Sequence, residues 1–163
     1  GGASLGALAF SRDTGYDGFM TSTSIRTILG NRPVHEVTPE TRLRAVARQM
    51  AEQRVGAVAI VQDNALLGVL SERDIVFRAV AQGLSVDDTE ARAVMTPDPV
   101  TLDIDAPVSE ALVRHLGDAF RHLPVLEEGR LVGLLSYRDI PAEYVMMFEH
   151  FREMSAARAD EGT

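Results

Sequence analysis

The chain has 163 residues, 45% of them hydrophobic, a balance that suits a globular protein of one compact domain or two small ones. It carries no cysteine, which excludes disulfides, thiolate metal ligands and a cysteine nucleophile, and no run of 18 apolar residues, so no membrane partner is expected. A net charge of −8 without a Lys/Arg cluster excludes nucleic acid as a partner, and the lack of a basic leader before an apolar run leads us to expect a cytoplasmic protein. Residues 1–21 read as an N-terminal extension rich in glycine and small residues, with Met20 a candidate native start. A first unit follows over 22–85. Pro33-Val-His-Glu-Val37 predicts a short strand. Leu43, Val46, Ala47, Met50 and Ala51 recur at helical spacing and predict an amphipathic helix. The run from Val55 to Val61 predicts a buried strand, Asp63-Asn64 a turn, and Leu66 to Leu70 the returning strand of a hairpin. Ser71 then opens a helix that ends near Gly83.

The polar stretch Asp87-Asp-Thr-Glu-Ala91 leads into a second unit, 86–146, built on the same plan. Met95-Thr-Pro-Asp-Pro-Val-Thr-Leu102 is its entry loop and strand. Val108, Ala111, Leu112 and His115 make its helix face, and Phe120 to Leu126 its first hairpin strand. Glu127-Glu-Gly129 is the turn, Leu131 to Leu135 the return, and Ser136 the start of the last helix, with Pro141 early in it. Over 147–163, a C-terminal helix and tail, an apolar stripe of Tyr144, Met147, Phe148, Phe151 and Met154 continues and needs a packing surface, in its own domain or on a second subunit.

The two units repeat in detail. Leu66-Leu-Gly-Val-Leu-Ser-Glu-Arg-Asp-Ile75 returns as Leu131-Val-Gly-Leu-Leu-Ser-Tyr-Arg-Asp-Ile140, with seven of ten positions identical. Two copies of one unit imply a pseudo-twofold and clefts between the copies. The fold class read from this is mixed α/β (α+β): two repeats, each strand–helix–strand–strand–helix.

These residues carry a family resemblance. Gly-h-h-Ser-x-x-Asp closing each hairpin, with Met95-Thr-Pro and Phe120-Arg-His-Leu-Pro-Val125, resembles the cystathionine-β-synthase (CBS) domain, and two in tandem resemble a Bateman module. The first copy departs at Gly56-Ala-Val-Ala-Ile60, which lacks the Arg-His and the proline. The resemblance covers about residues 22–145. It implies a regulatory module rather than an enzyme, with no covalent cofactor. It also implies clefts that take an adenosine-type ligand (AMP, ADP, ATP, NAD(H) or S-adenosylmethionine) and pairing into a homodimer.

Two readings attach to each candidate site residue. Ser71 with Asp74, and Ser136 with Asp139, are helix-capping pairs of the Ser-x-x-Asp kind. The same geometry offers a helix start to a phosphate and a carboxylate to ribose hydroxyls. Arg73 and Arg138 are solvated helix-turn residues or ligand contacts. Arg121 and His122 are an exposed strand end, salt-bridged to Glu127 or Glu128, or a phosphate contact. Val55, Val69, Phe120, Leu134, Leu29 and Pro97 are core residues or apolar walls for adenine. By the family pattern the helix start of one repeat faces the strand start of the other. Arg121 and His122 should then join Asp74, while Asp139 should face the uncharged Gly56 and Ala57. A phosphorylated ligand is therefore expected in the Asp74 cleft. The four histidines lack metal-site spacing, and no catalytic constellation can be assembled.

Overall fold

The computed structural model describes residues 23–117 and 121–161. The N-terminal extension to residue 22 and Phe120 lie outside the described residues, as does the His115 side chain. In chain order the elements are α1 (Ile25–Leu29), β1 (Glu36–Val37), α2 (Leu43–Gln53), β2 (Ala57–Gln62) and β3 (Ala65–Ser71). A single turn, α3 (Glu72–Asp74), runs on into a π-helix over Ile75–Val80. The second half holds β4 (Thr96–Pro97), β5 (Leu102–Asp103), α4 (Val108–Gly117), β6 (His122–Glu127), β7 (Arg130–Ser136) and α5 (Ala142–Glu161).

The two hairpins superpose in register. Ala57 pairs Ser71 as His122 pairs Ser136, and each ladder slips at the same place, after Ile60 and after Val125. The turns are set by local chemistry. Asp63 and Asn64 both adopt positive φ (53° and 63°), the two-residue turn whose twist matches the strands. Glu128 and Gly129 do the same (50° and 79°). In each repeat a short entry strand joins in parallel, β1 to β2 and β5 to β6. The two sheets are asymmetric: β4 adds a fourth strand to β3, at Gly68 and Val69, and the described residues hold no counterpart on β7.

Each repeat buries its own core. Leu43, Val46 and Met50 of α2 pack on Val58, Ile60 and Leu70, and Val108, Ala111 and Leu112 of α4 pack on Leu123, Val125 and Leu135. The entry segments cross over. Ile25 and Leu29 of α1 lie in the core of the second repeat, while Ala91 and Val94 lie in that of the first. Backbone pairing enforces the exchange: Ile25 N–H donates to Ala106 (2.9 Å), and Ala91 N–H donates to Thr41 (2.8 Å). Arginines fix both crossings. Arg26 donates to Asp105 (3.0 Å) and Glu127 (2.7 Å), and Arg92 donates to Glu40 (2.5 Å) while ion-paired with Glu90 (3.0 Å). Hydrogen bonds to Asp105 and Glu127 push the Arg26 guanidinium up, and the same bond holds the Asp105 carboxyl below the usual carboxylate value.

Three sequence expectations need adjusting. Pro33 to His35 stay outside the strand, which is only Glu36–Val37. Ala47 and Ala51 are exposed, so the buried stripe of α2 is narrower than its pattern. Pro141 does not sit inside the last helix. The residue before a proline is forced toward extended backbone, and Ile140 (φ −86°, ψ 122°) breaks the chain between a 3₁₀ turn at Tyr137–Asp139 and α5. The apolar stripe of α5 divides. Val145 and Phe148 are buried on the second core with Tyr144 and Met147 against them, whereas Met146, Phe151 and Met154 are exposed.

Candidate functional site

Both helix starts are capped reciprocally. Ser71 Oγ accepts from Asp74 N–H (3.1 Å), and Asp74 Oδ2 accepts from Ser71 N–H (3.0 Å). In the second repeat, Ser136 Oγ accepts from Arg138 N–H (3.3 Å) and Asp139 Oδ2 from Ser136 N–H (2.7 Å). A Ser-Asp cap satisfies donors that a helix start leaves unpaired. The structural role of all four residues is therefore present without any ligand.

The faces of the two hairpins meet, β2 against β7 and β3 against β6. Between them opens a cleft of about 660 Å³. One wall is apolar: Leu29, Val34, Val55 and Leu134. The other is polar and carries the helix start Ser136 to Asp139. Gly56 keeps the floor low, since His122 Nε2 and Glu72 Oε1 stand 3.4 and 3.5 Å from where a Cβ would be. Asp139 is partly buried and accepts a hydrogen bond from Arg32 through its other oxygen.

The cleft brings together Leu29, Val55, Ser71, Arg73, Arg121, His122, Leu134, Ser136, Arg138 and Asp139 from the sequence-predicted set. It does not include Asp74, Val69 or Pro97. Arg121 and His122 thus line the same cleft as Asp139, whereas the sequence pairs them with Asp74. The physical reason lies in the entry segments. Thr96 and Pro97 hydrogen-bond onto β3 as an edge strand, where a proline is tolerated. Their approach fills the space beside Gly68, with Met95 Sδ and the Thr96 carbonyl each 2.7 Å from a would-be Cβ. Val69 is buried beneath them. On the other side Arg32 to His35 stay off β7, and the space beside the Asp139 helix start remains open.

Sequence reasoning missed Arg32, His35 and Arg54, all of which line the cleft. The repeat held a signal for Arg32: Pro33-Val34 matches Pro99-Val100 in the entry loops, with Arg32 standing where the second copy has Asp98. Arg54 is the residue that caps the end of α2 and bears no such mark. Glu127, one of the two carboxylates weighed as an ion-pair partner for Arg121 and His122, pairs instead with Arg26. Among the described residues no group of three or more His, Asp or Glu is arranged to hold a metal, and no helix is long and apolar enough to cross a membrane.

Comparison with known proteins bears on the same residues. A family model described as the CBS domain matches residues 25–80 and 91–143. The CBS domain-containing protein CBSCBSPB5 of Arabidopsis thaliana is 40% identical over 124 residues, 76% of this chain, and this chain spans only 23% of that protein's length. Among solved structures, the CBS domain protein PAE2072 from Pyrobaculum aerophilum, complexed with AMP, aligns with a TM-score of 0.69 at 29% identity, covering 78% of this chain and 98% of its own. The CBS-domain containing protein ATU1752 from Agrobacterium tumefaciens aligns with a TM-score of 0.66 at 29% identity, covering 72% and 95%. With one match per repeat, the matched hairpins in identical register and the entry segments exchanged, the chain belongs to the CBS-domain family, as a tandem pair.

Proposed function

We propose that this tandem CBS pair is a regulatory module that binds an adenosine-type ligand in the cleft between its repeats. The observation that carries the reading is the cleft itself. It joins an apolar wall suited to a base (Leu29, Val55, Leu134) to the capped 3₁₀ turn Tyr137–Asp139, whose Asp139 carboxylate would accept from a ribose, and to arginines whose guanidinium groups would meet phosphate. The AMP complex of the Pyrobaculum aerophilum relative supports the same ligand class. The site residues are those of the cleft, with Asp139 in place of Asp74 as the ribose acceptor. No step of catalysis belongs to this reading. Ligand contacts both repeats, so binding shifts the population toward one arrangement of the pair, and a partner reads the changed surface.

A thermal-shift panel of AMP, ATP, NADH and S-adenosylmethionine tests it. Ligand at about 100 times its dissociation constant adds about 2.7 kcal/mol, a clear rise in Tm. No shift for any member at millimolar concentration would favour a ligand-free interaction module. A specific observation gives that second reading its weight. Val76, Phe77 and Val80 on the π-helix are 51%, 53% and 59% exposed, and Met146 on α5 is 68% exposed. These faces also support a homodimer, which the ligand reading includes.

A further inference from the structure

The cleft inverts the charge of the molecule. All 16 basic residues of the chain are arginines, against 24 Asp and Glu. In the cleft Arg32, Arg54, Arg73, Arg121 and Arg138 meet only two carboxylates, Glu72 and Asp139. Arg32 is held by Asp139, and Arg73 lies over the Phe77 ring at 4.9 Å. Arg54, Arg121 and Arg138 form no ion pair with a described carboxylate. A guanidinium is always charged, and its planar fork of N–H donors matches phosphate oxygens two at a time.

Backbone geometry adds a second observation. Arg54 ends α2 in the left-handed conformation (φ 55°, ψ 44°). Glycine is the usual residue at such a helix end, because a side chain there is strained. Arg54 carries a Cβ where the backbone disfavours one, at a helix C-terminus where its charge is favoured, and it lines the cleft wall. Arg121 comes from the start of β6 and Arg138 from the turn after β7, so three separate segments deliver the cations.

We propose that the cleft selects a nucleotide with a di- or triphosphate chain over the monophosphate, and rejects the sulfonium cation S-adenosylmethionine. This rests on the adenosine-ligand reading above and narrows it. One phosphate group satisfies one or two guanidinium forks, so three unpaired arginines call for more anionic oxygens than AMP supplies. A cationic ligand would instead be placed among five guanidinium groups, and like charge at close quarters is how a site rejects the wrong partner.

Isothermal calorimetry on the whole chain in magnesium-free buffer, with ATP, ADP, AMP and S-adenosylmethionine, tests the proposal. We expect ADP and ATP to bind at least about tenfold more tightly than AMP, the scale of one added charge-assisted hydrogen bond, and S-adenosylmethionine to bind weakest. The double variant Arg54→Ala/Arg121→Ala, and Arg138→Ala separately, should each lose more affinity for ADP than for AMP and so shrink the ADP-to-AMP ratio toward one, with thermal melts confirming that each is folded. AMP binding as tightly as ADP and ATP, S-adenosylmethionine binding tightest, or folded variants with the wild-type ratio would each overturn the selection while leaving the adenosine-ligand reading intact. Silence of the whole panel would remove both.

Discussion

Asp74 and Asp139 occupy equivalent positions in the two repeats and cap their helix starts in the same way, yet Asp139 lines the cleft and Asp74 does not. Asp74 Oδ1 looks instead toward Arg78 at 3.8 Å, one turn along its own helix. Asp139→Ala should therefore weaken nucleotide binding by tenfold or more, the loss of charged hydrogen bonds of roughly 1.5–3 kcal/mol each, while Asp74→Ala should change affinity little. Calorimetry on the two variants separates this from the order the sequence points to, in which Asp74 matters more. The paired glycines of the repeated motif also differ. A Cβ on Gly68 would meet the Thr96 backbone carbonyl at 2.7 Å, whereas one on Gly133 would meet the side chain of Leu29 at 2.5 Å. Side chains yield more readily than backbone. Gly68→Ala should cost about 1–3 kcal/mol by overpacking, and Gly133→Ala less. Denaturant melts of both would read the difference, and a larger loss at Gly133 would count against the close approach of β4.

At the scale of elements, the hairpins and helix caps were legible because their signals are local. Asp63-Asn64 and Glu128-Gly129 set turns in which Asp63, Asn64 and Gly129 tolerate positive φ, and Ser-x-x-Asp names its own cap. Ser71→Ala should accordingly lower stability by about 1 kcal/mol, measured by thermal melting; no loss would mean that the cap is redundant with the strand pairing of Ser71 to Ala57. The crossing of α1 and of Ala91–Val94 was not legible. Ile25 and Leu29 carry no periodic mark that says which core they enter, and only the bonds of Ile25 and Arg26 N–H to the Ala106 and Ile104 carbonyls, about eighty residues away, decide it. The cleft was half legible for the same reason. Ser136, Arg138 and Asp139 sit in a repeated motif, whereas Arg54 acquires its place from the left-handed end of α2 and Arg32 from an entry loop that fails to pair. Pro141 shows the reverse case, a local rule given too little weight: its effect on Ile140 splits the last helix start from α5.

For the whole molecule, the crossed entry segments tie the repeats together through exposed ion pairs, and this gives acidification a sign. Hydrogen bonding to Arg44 lowers Asp87, and hydrogen bonding to Arg26 lowers Asp105, below the ordinary 3.8. A carboxylate whose folded value is depressed stabilises fully above its unfolded value and loses that contribution as pH falls through the folded one. Tm should therefore hold near neutrality and fall between about pH 5 and pH 2, with a shallower fall in Asp105→Asn; an unchanged acid limb in that variant would place the loss elsewhere. Pairing of two chains through Val76, Phe77, Val80 and Met146 should give twice the 17.7 kDa chain mass in light scattering, and a mass of 17.7 kDa at micromolar concentration would defeat the dimer. The central claim is one nucleotide held in one cleft that both repeats build. Calorimetric titration with ADP tests it most directly. The expected result is a saturable heat with one ADP per chain, abolished or weakened at least tenfold by Asp139→Ala. No heat at all, or two equivalent sites per chain that survive the substitution, would contradict it.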